Sequence, residues 1–549
     1  MVGVPGRSKG CNTCRKRKKG CDLRRPACGQ CLASGRVCEG YERPLSFVPY
    51  RDGNRGVLPD TGGLGQRSTR NQLKDPLLLV HNGLDRASWE NLVLGRFWEI
   101  HLPGKELIMS PFAELSTSIG WYDLASCLAF GDSVLRLSLL ALSFARLHLL
   151  DPDNNDTLHH SIKLYGDALK ELNVALRYRN RRLSDDVLYA CAVLALYEVF
   201  QGAAAATGRE QIQSLGYSWM SHTKGVCILL QVRGPERHSD GLAHRQFRSM
   251  RLNGLISAIQ ARKKSFFNTE EWLSKPWSKN PKNLRDEVID ILAVVPDMLE
   301  NVDATRAMLY TGEDSDLVFD ELQCIVGRCC HIDIALQDWM DKLQAFCRKS
   351  NFSHAWPEAL IDSPNDVPAG VYSLAHITIL YWAICIVVYT NLRQVIADLG
   401  ALRPSYAPMT LSPHTEPSQY ATMIRKAAPY FFHPALGGIG PTNASFPMGI
   451  AMLYFGASEN EEELQAILAY FSQLRMGGTI KRFLNSMRAD SVNGRVMPTE
   501  ESHSRGQLGQ HNTAIRWWGF VISPLMPGTE SEEGMRRNKI GVYGSCLFE

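Results

Sequence analysis

Six cysteines near the start of this chain are its clearest candidates for chemistry. Cys11, Cys14, Cys21, Cys28, Cys31 and Cys38 lie within the first 38 of 549 residues, and the rest of the chain holds nine more of its 15 cysteines. Their spacing is two copies of C-x2-C-x6-C joined by six residues, an internal repeat. A C-x2-C pair places two thiolates on one face of a tight turn or helix start, where both reach a single zinc ion at about 2.3 Å. Two tetrahedral ions need eight ligand positions, so six thiolates suffice only if two are shared. The repeat singles out Cys11 and Cys28, each the first cysteine of its half, as the bridging pair. Six thiolates and two Zn2+ ions leave a net negative charge, so neighbouring cations should help hold the sulfurs deprotonated.

Those cations are present. Arg15, Lys16, Arg17, Lys18 and Lys19 fill the loop between Cys14 and Cys21, Arg24 and Arg25 follow, and the one acid among them is Asp22. An isolated basic run is as often a solvated face as a binding surface. This one is wedged between metal ligands, at the start of a short helix pinned at its base, which suits phosphate contact and groove insertion. The same RKRKK run fits a nuclear-localisation signal.

These residues resemble the fungal binuclear zinc cluster, or Zn2Cys6, transcription factors. The likeness covers the six cysteines and their spacing, Arg15-x-Arg17-Lys18, Asp22 after the third cysteine, Pro26 before the fourth and Gly35 before the sixth. It implies a small domain, residues 10–40, with two short helices around two zinc ions, whose first half reads a CGG-type triplet in the major groove of double-stranded DNA. Carried over by position, Arg17 and Lys18 would contact bases, and Arg15, Lys16 and Lys19 would contact phosphates. Pro26 would shape the loop joining the halves. Many members place a basic residue before the third cysteine, where this chain has Gly20.

The elements that carry this head divide by charge and composition. Residues 1–50 hold 11 Lys and Arg against 3 Asp and Glu, a net of +8, while the remainder carries 49 against 53 and the whole chain +4. Apolar residues make 45% of the chain and charged ones 21%, which excludes a wholly disordered, collagenous or disulfide-rich secreted protein. Met1 to Gly10 contains no apolar core of an export signal, so an intracellular, reducing location is expected, where a dense cysteine cluster favours metal over disulfides. From Tyr41 to Asp75 the chain is rich in Gly, Pro, Arg and Ser and shows no sustained period, which predicts a flexible linker over 41–75. No heptad run for a coiled coil follows. Trp89, Leu92, Val93, Phe97 and Ile100 instead predict an amphipathic core helix, so any homodimer would form through the body.

The body, 76–549, reads as a large all-α regulatory domain. Leu158 to Tyr178 is helical by period; Ser184, with Asp185 and Asp186, caps the apolar run Val187 to Phe200, which should be buried on all sides. Ser458-x-x-Glu461 reads as a capping box opening a helix through Leu474, which makes Glu461, Glu462 and Glu463 a first turn and not an acidic activation patch. Val367 to Leu392 contains no charged residue; its His376, Thr378, Tyr381, Trp382 and Asn391 favour a buried core helix over a membrane span. No G-x-S-x-G, H-E-x-x-H or Walker loop occurs, Gly437-Gly438-x-Gly440 reads as a turn, and Cys324, Cys329 and Cys330 lack metal spacing, so no catalytic residue and no enzyme is expected.

A second resemblance covers about 143–272, which looks like the middle region of one subgroup of fungal-specific transcription factor domains. Asp185-x-x-Leu188, Leu196-Tyr197-Glu198-x-Phe200, Trp219-x-x-His222-x-x-Gly225, Arg233-Gly234-Pro235, Phe266 and Trp272 carry it. It implies a domain that gates the DNA-binding head through a small-molecule effector, a co-regulator or the transcription machinery. His222 beside Trp219 reads as a buried, hydrogen-bonded residue. The expectation from both ends is a nuclear, sequence-specific regulator of RNA polymerase II transcription; the alternative is an adaptor that binds a partner or metabolite with little specific DNA binding of its own.

Overall fold

The computed structural model describes residues 10–25, 27–38, 76–102, 110, 112–115, 132–202, 209–311, 314–350, 356–406 and 409–473. Pro26, the 41–75 stretch, the Arg15 side chain and residues from 474 onward, with the end of the helix expected through Leu474, lie outside the described residues. The chain divides into two units, Met1–Asp75 and Pro76–Glu549. No strand occurs among the described residues.

The first unit holds two short helices, α1 (Asn12–Lys16) and α2 (Gly29–Ala33), one in each half of the cysteine repeat. With so few residues, its buried centre consists of cysteine sulfurs: Cys11, Cys14, Cys28 and Cys31 are fully buried, and Cys21 and Cys38 pack against them. The basic run does not open a helix as expected. It begins in the last turn of α1 and continues past it, because Lys18 adopts the left-handed conformation, φ 53°, and the Lys19 N–H returns to the Cys14 carbonyl. A helix continued to Cys21 would carry that thiol roughly 10 Å along its axis from Cys14. Turning back is what brings it to the other sulfurs.

The second unit is built from twelve longer helices among the described residues. In the first part α3 (Pro76–His101), α4 (Ser133–Leu150), α5 (Asn155–Arg177), α6 (Asp185–Tyr197) and α7 (Arg209–Arg233) pack around α4 and α6. In the second part α9 (Leu284–Thr311), α10 (Ser315–Lys349), α12 (Pro417–Phe431) and α13 (Ile439–Ala457) surround α11 (Tyr372–Leu402), and α14 (Glu461–Gln473) closes on α12 and α13. Between them α8 (Gly241–Ala261) touches both α7 and α9. One apolar core runs through all of them.

Helix α6 starts where Ser184 accepts a hydrogen bond from the Val187 N–H at 3.2 Å, and its apolar run is buried nearly throughout. The apolar stretch of α11 from Tyr372 to Tyr389 is buried throughout, which fits a core helix; α4, the other helix among the described residues long and apolar enough to cross a membrane, is 72% buried. The Gly437 turn is confirmed: Gly437 has φ 55°, a Cβ there would sit 3.1 Å from the Leu102 carbonyl, and the Gly438 N–H bonds the Ile100 carbonyl at 3.1 Å. Two local expectations change. In α3 the buried seam is Val93, Leu94, Phe97 and His101, while Leu92 is 71% exposed, one position off the stripe that packs on α4. Ser458 does not cap α14; its hydroxyl donates back to the Tyr454 carbonyl at the end of α13, Glu459 turns left-handed, and Asn460 accepts the Glu463 N–H at 3.4 Å instead. Two residues are consumed in ending one helix before the next can begin. Glu463 of that first turn pairs with Arg425 on α12.

Candidate metal centre and nucleic-acid interface

The sulfurs of Cys11, Cys14, Cys21 and Cys28 lie within 4.8 Å of one another, and so do those of Cys11, Cys28, Cys31 and Cys38. Cys11 and Cys28 are common to both groups. Their sulfurs are 3.6 Å apart, Cys11 to Cys31 is 3.7 Å, Cys14 to Cys28 is 3.6 Å, and Cys14 to Cys31 is 3.9 Å. A tetrahedral zinc site with bonds of about 2.3 Å separates its sulfurs by roughly 3.8 Å, so the arrangement fits the ion. No other group of three or more His, Cys, Asp or Glu suited to a metal occurs among the described residues. In particular, Cys329 is buried and donates to the Met298 sulfur at 3.4 Å.

The two halves repeat their local bonding. The Cys11 sulfur accepts the Cys14 N–H at 3.3 Å, and the Cys28 sulfur accepts the Cys31 N–H at 3.4 Å, so each shared sulfur caps its own short helix. Cys21 accepts the Cys11 N–H at 3.4 Å. Burial pushes the Cys14, Cys28 and Cys31 thiols above their ordinary range, so without a metal they hold their protons and binding must release them.

Asp22 joins the halves in a way its sequence position only hinted at. Both its carboxylate oxygens accept the Gly29 N–H at the start of α2, at 2.9 and 3.0 Å. Gly29 makes room for this contact, since a Cβ there would fall 2.5 Å from Asp22 Oδ2. The available signal was a lone acid inside a basic run. Two further struts cross between the halves: Arg17 Nη1 donates to Ser34 Oγ at 3.0 Å, and Thr13 Oγ1 donates to the Val37 carbonyl at 3.2 Å. Ser34 was not legible as a partner, because no local pattern relates two polar residues 17 positions apart.

The candidate DNA-contacting residues therefore separate. Lys16, Lys18 and Lys19 are exposed, whereas Arg17 is partly covered and tied to the second half. The structure leaves open space beside Gly20, with no heavy atom within 4 Å of a Cβ built there.

In the second unit the resembling residues form supports. The Arg233 side chain is fully buried and ties α7 to the start of α6 through Asp185 and the Ser184 carbonyl, the latter at 2.9 Å. His222 Nε2 lies 3.0 Å from the Tyr165 hydroxyl, which also bonds Glu198; burial lowers the His222 pKa and raises that of Glu198. Glu198 is buried and His222 and Tyr165 are half-buried, so the hydrogen bonding expected of His222 is present while its burial is partial.

Residues 9–46 match the fungal Zn(2)-Cys(6) binuclear cluster domain, and residues 107–274 match the fungal specific transcription factor domain. The chain thus carries the domain pair of the fungal zinc-cluster transcription regulators, which are not enzymes, and it binds zinc through the first. Among curated proteins, it is 30% identical over 144 residues to an uncharacterized transcriptional regulatory protein of Schizosaccharomyces pombe, over 26% of this chain and 24% of that protein. It is 48% identical over 54 residues to White-opaque regulator 2 of Candida albicans, 9% of this chain and 12% of that one. A similar stretch of 54 residues is 46% identical to Arginine metabolism regulation protein II of Saccharomyces cerevisiae, 8% and 6% of the two chains. The chain thus matches a quarter or less of the length of each relative. No solved structure matches it.

Proposed function

We propose that this protein is a nuclear, zinc-dependent, sequence-specific DNA-binding regulator of RNA polymerase II transcription acting at CGG-type promoter elements. The observation that carries the reading is the pair of four-sulfur groups sharing Cys11 and Cys28, with five consecutive basic residues between Cys14 and Cys21. Cys11, Cys14, Cys21, Cys28, Cys31 and Cys38 would hold two Zn2+ ions, with no catalytic step by the metal. The ions supply the folding energy for a head too small to have an apolar core.

Arg17 and Lys18 read base edges, and Arg15, Lys16 and Lys19 hold the phosphate backbone. The strut from Arg17 to Ser34 supports this division, because a base-reading guanidinium gains from being held in one orientation before contact. The helical body serves as the regulatory part, receiving an effector or co-regulator.

The test is zinc stoichiometry of the full chain together with binding to CGG-bearing and scrambled duplexes. Two zinc per chain and loss of binding on chelation or with Cys28→Ala are expected. Arg17→Ala or Lys18→Ala should narrow the gap between the two duplexes, whereas Lys19→Ala should weaken both equally and lower the salt slope by about one. Specific CGG binding by the chelated protein would overturn the metal role; equal losses on both duplexes for all three variants would overturn the division of labour.

A further inference from the structure

The body encloses more positive charge than it neutralises at one place. Arg248 and Arg251 on α8 meet Lys282 and Arg285 at the start of α9, and the acids paired with these four cations are Asp286 and Asp290. The side chains of Arg251 and Arg285 are each only 1% exposed. Arg251 Nη2 reaches Asp290 at 2.5 Å, and Arg285 Nη1 donates to the Arg248 carbonyl at 3.3 Å. Arg251 Nε and Nη1, Arg285 Nε and the neighbouring Trp277 Nε1 and His376 Nε2 have no hydrogen-bond partner.

Guanidinium groups keep their charge when buried, so donors left without acceptors carry a large desolvation cost. Trp277 forms a wall of the same cluster, with Lys282 Nζ 5.5 Å and the Arg251 guanidinium 5.9 Å from its ring. His376, on α11, lies close enough to Arg285 to feel its charge, and burial keeps the imidazole neutral. One side opens to solvent, because the Arg248, Lys282 and Asp290 side chains are 19%, 23% and 24% exposed. Arg251 and Arg285 thus bring three unpartnered nitrogen donors on two buried, charged guanidinium groups into one cluster, and charged N–H donors of this kind bind oxyanions strongly.

We infer that the cluster around Arg251 and Arg285 is a binding site for the carboxylate or phosphate group of a small anionic ligand. The ligand supplies the acceptors and the negative charge that the protein lacks there. The site stands on the body alone and does not depend on the DNA-binding reading of the head.

The test titrates the purified, zinc-loaded full chain with inorganic phosphate in one arm and succinate in the other, at constant ionic strength set with chloride. Melting temperature and tryptophan fluorescence report binding. A saturable rise in melting temperature is expected with at least one anion, and the arm with the tighter Kd identifies the headgroup. Arg251→Met and Arg285→Met should weaken that Kd at least tenfold, while the surface control Lys263→Met should leave it unchanged. Trp277→Phe keeps every charge and guards against a misfolded arginine variant; it should weaken binding about threefold or more. Absence of saturation in both arms would overturn the site, as would a common Kd for Arg251→Met, Trp277→Phe and Lys263→Met.

Discussion

Gly29→Ala should change sign with its background. In the native head, the Asp22 carboxylate receives the Gly29 N–H with both oxygens, and an added Cβ would lie 2.5 Å from Oδ2. The carboxylate must leave, and the charged hydrogen bond goes with it, at a cost of about 1–2 kcal/mol for a partly exposed group. Gly29 is also the first residue of α2 and does not occupy the left-handed region. Alanine there should return roughly 0.5–1 kcal/mol of backbone entropy and helix propensity. Because metal binding and folding of the head are linked, both quantities appear as changes in zinc affinity. Gly29→Ala alone should weaken zinc binding by a factor of roughly 2 to 5, and Asp22→Ala alone by roughly 5 to 30. Adding Gly29→Ala to Asp22→Ala should tighten binding, since the clash is gone and only the gain remains. The assay is competition for zinc against a calibrated chelator across the four proteins of the cycle. An equal loss from Gly29→Ala in both backgrounds would refute the reasoning, and would mean that the glycine is needed for its backbone and not for the carboxylate.

Gly20→Lys, which meets no neighbour, should raise affinity for any duplex and steepen the salt slope by about one without altering sequence preference. Asn460→Ala should destabilise the body by about 1 kcal/mol in urea unfolding, while Ser458→Ala should change it by less than about 0.5 kcal/mol, because Asn460 holds the cap. The body should also lose stability in mild acid. Burial lowers His101 well below its usual range, His238 to about 4 and His376 to about 3. Below an unfolded pKa of about 6.5 the unfolded chain takes up protons that the folded chain refuses, so each histidine removes up to about 1.4 kcal/mol per pH unit as pH falls from 6.5 toward its folded value. The urea midpoint should fall steadily from pH 6.5 to 5; a flat profile would contradict neutral burial.

Much of the site was legible because metal ligation is local in sequence. A C-x2-C pair meets in one turn whatever surrounds it, and two copies of one pattern indicate which members are equivalent. The same holds for the cap at Ser184, where the acceptor and donor are three residues apart. What failed to read correctly lay where two local rules compete. Ser458 satisfies the pattern of a helix start, yet it sits where α13 must end, and its hydroxyl serves that end. Leu92 continues the apolar period of α3 but misses the face that α4 covers.

From the amino-acid sequence alone came the six thiols, the basic run between them, the separation of a cationic head from a mildly acidic body, and the helical character of that body. These are properties of residue type and short spacing, which need no knowledge of what packs against what. Only the tertiary structure decided that Asp22 and Gly29 tie the two halves together, that Ser34 holds Arg17, and that four cations gather around two acids between α8 and α9. Each of those contacts joins residues from separate segments. Burial then sets their energy, because a charge or an N–H has its full cost or value only once neighbouring elements exclude water from it.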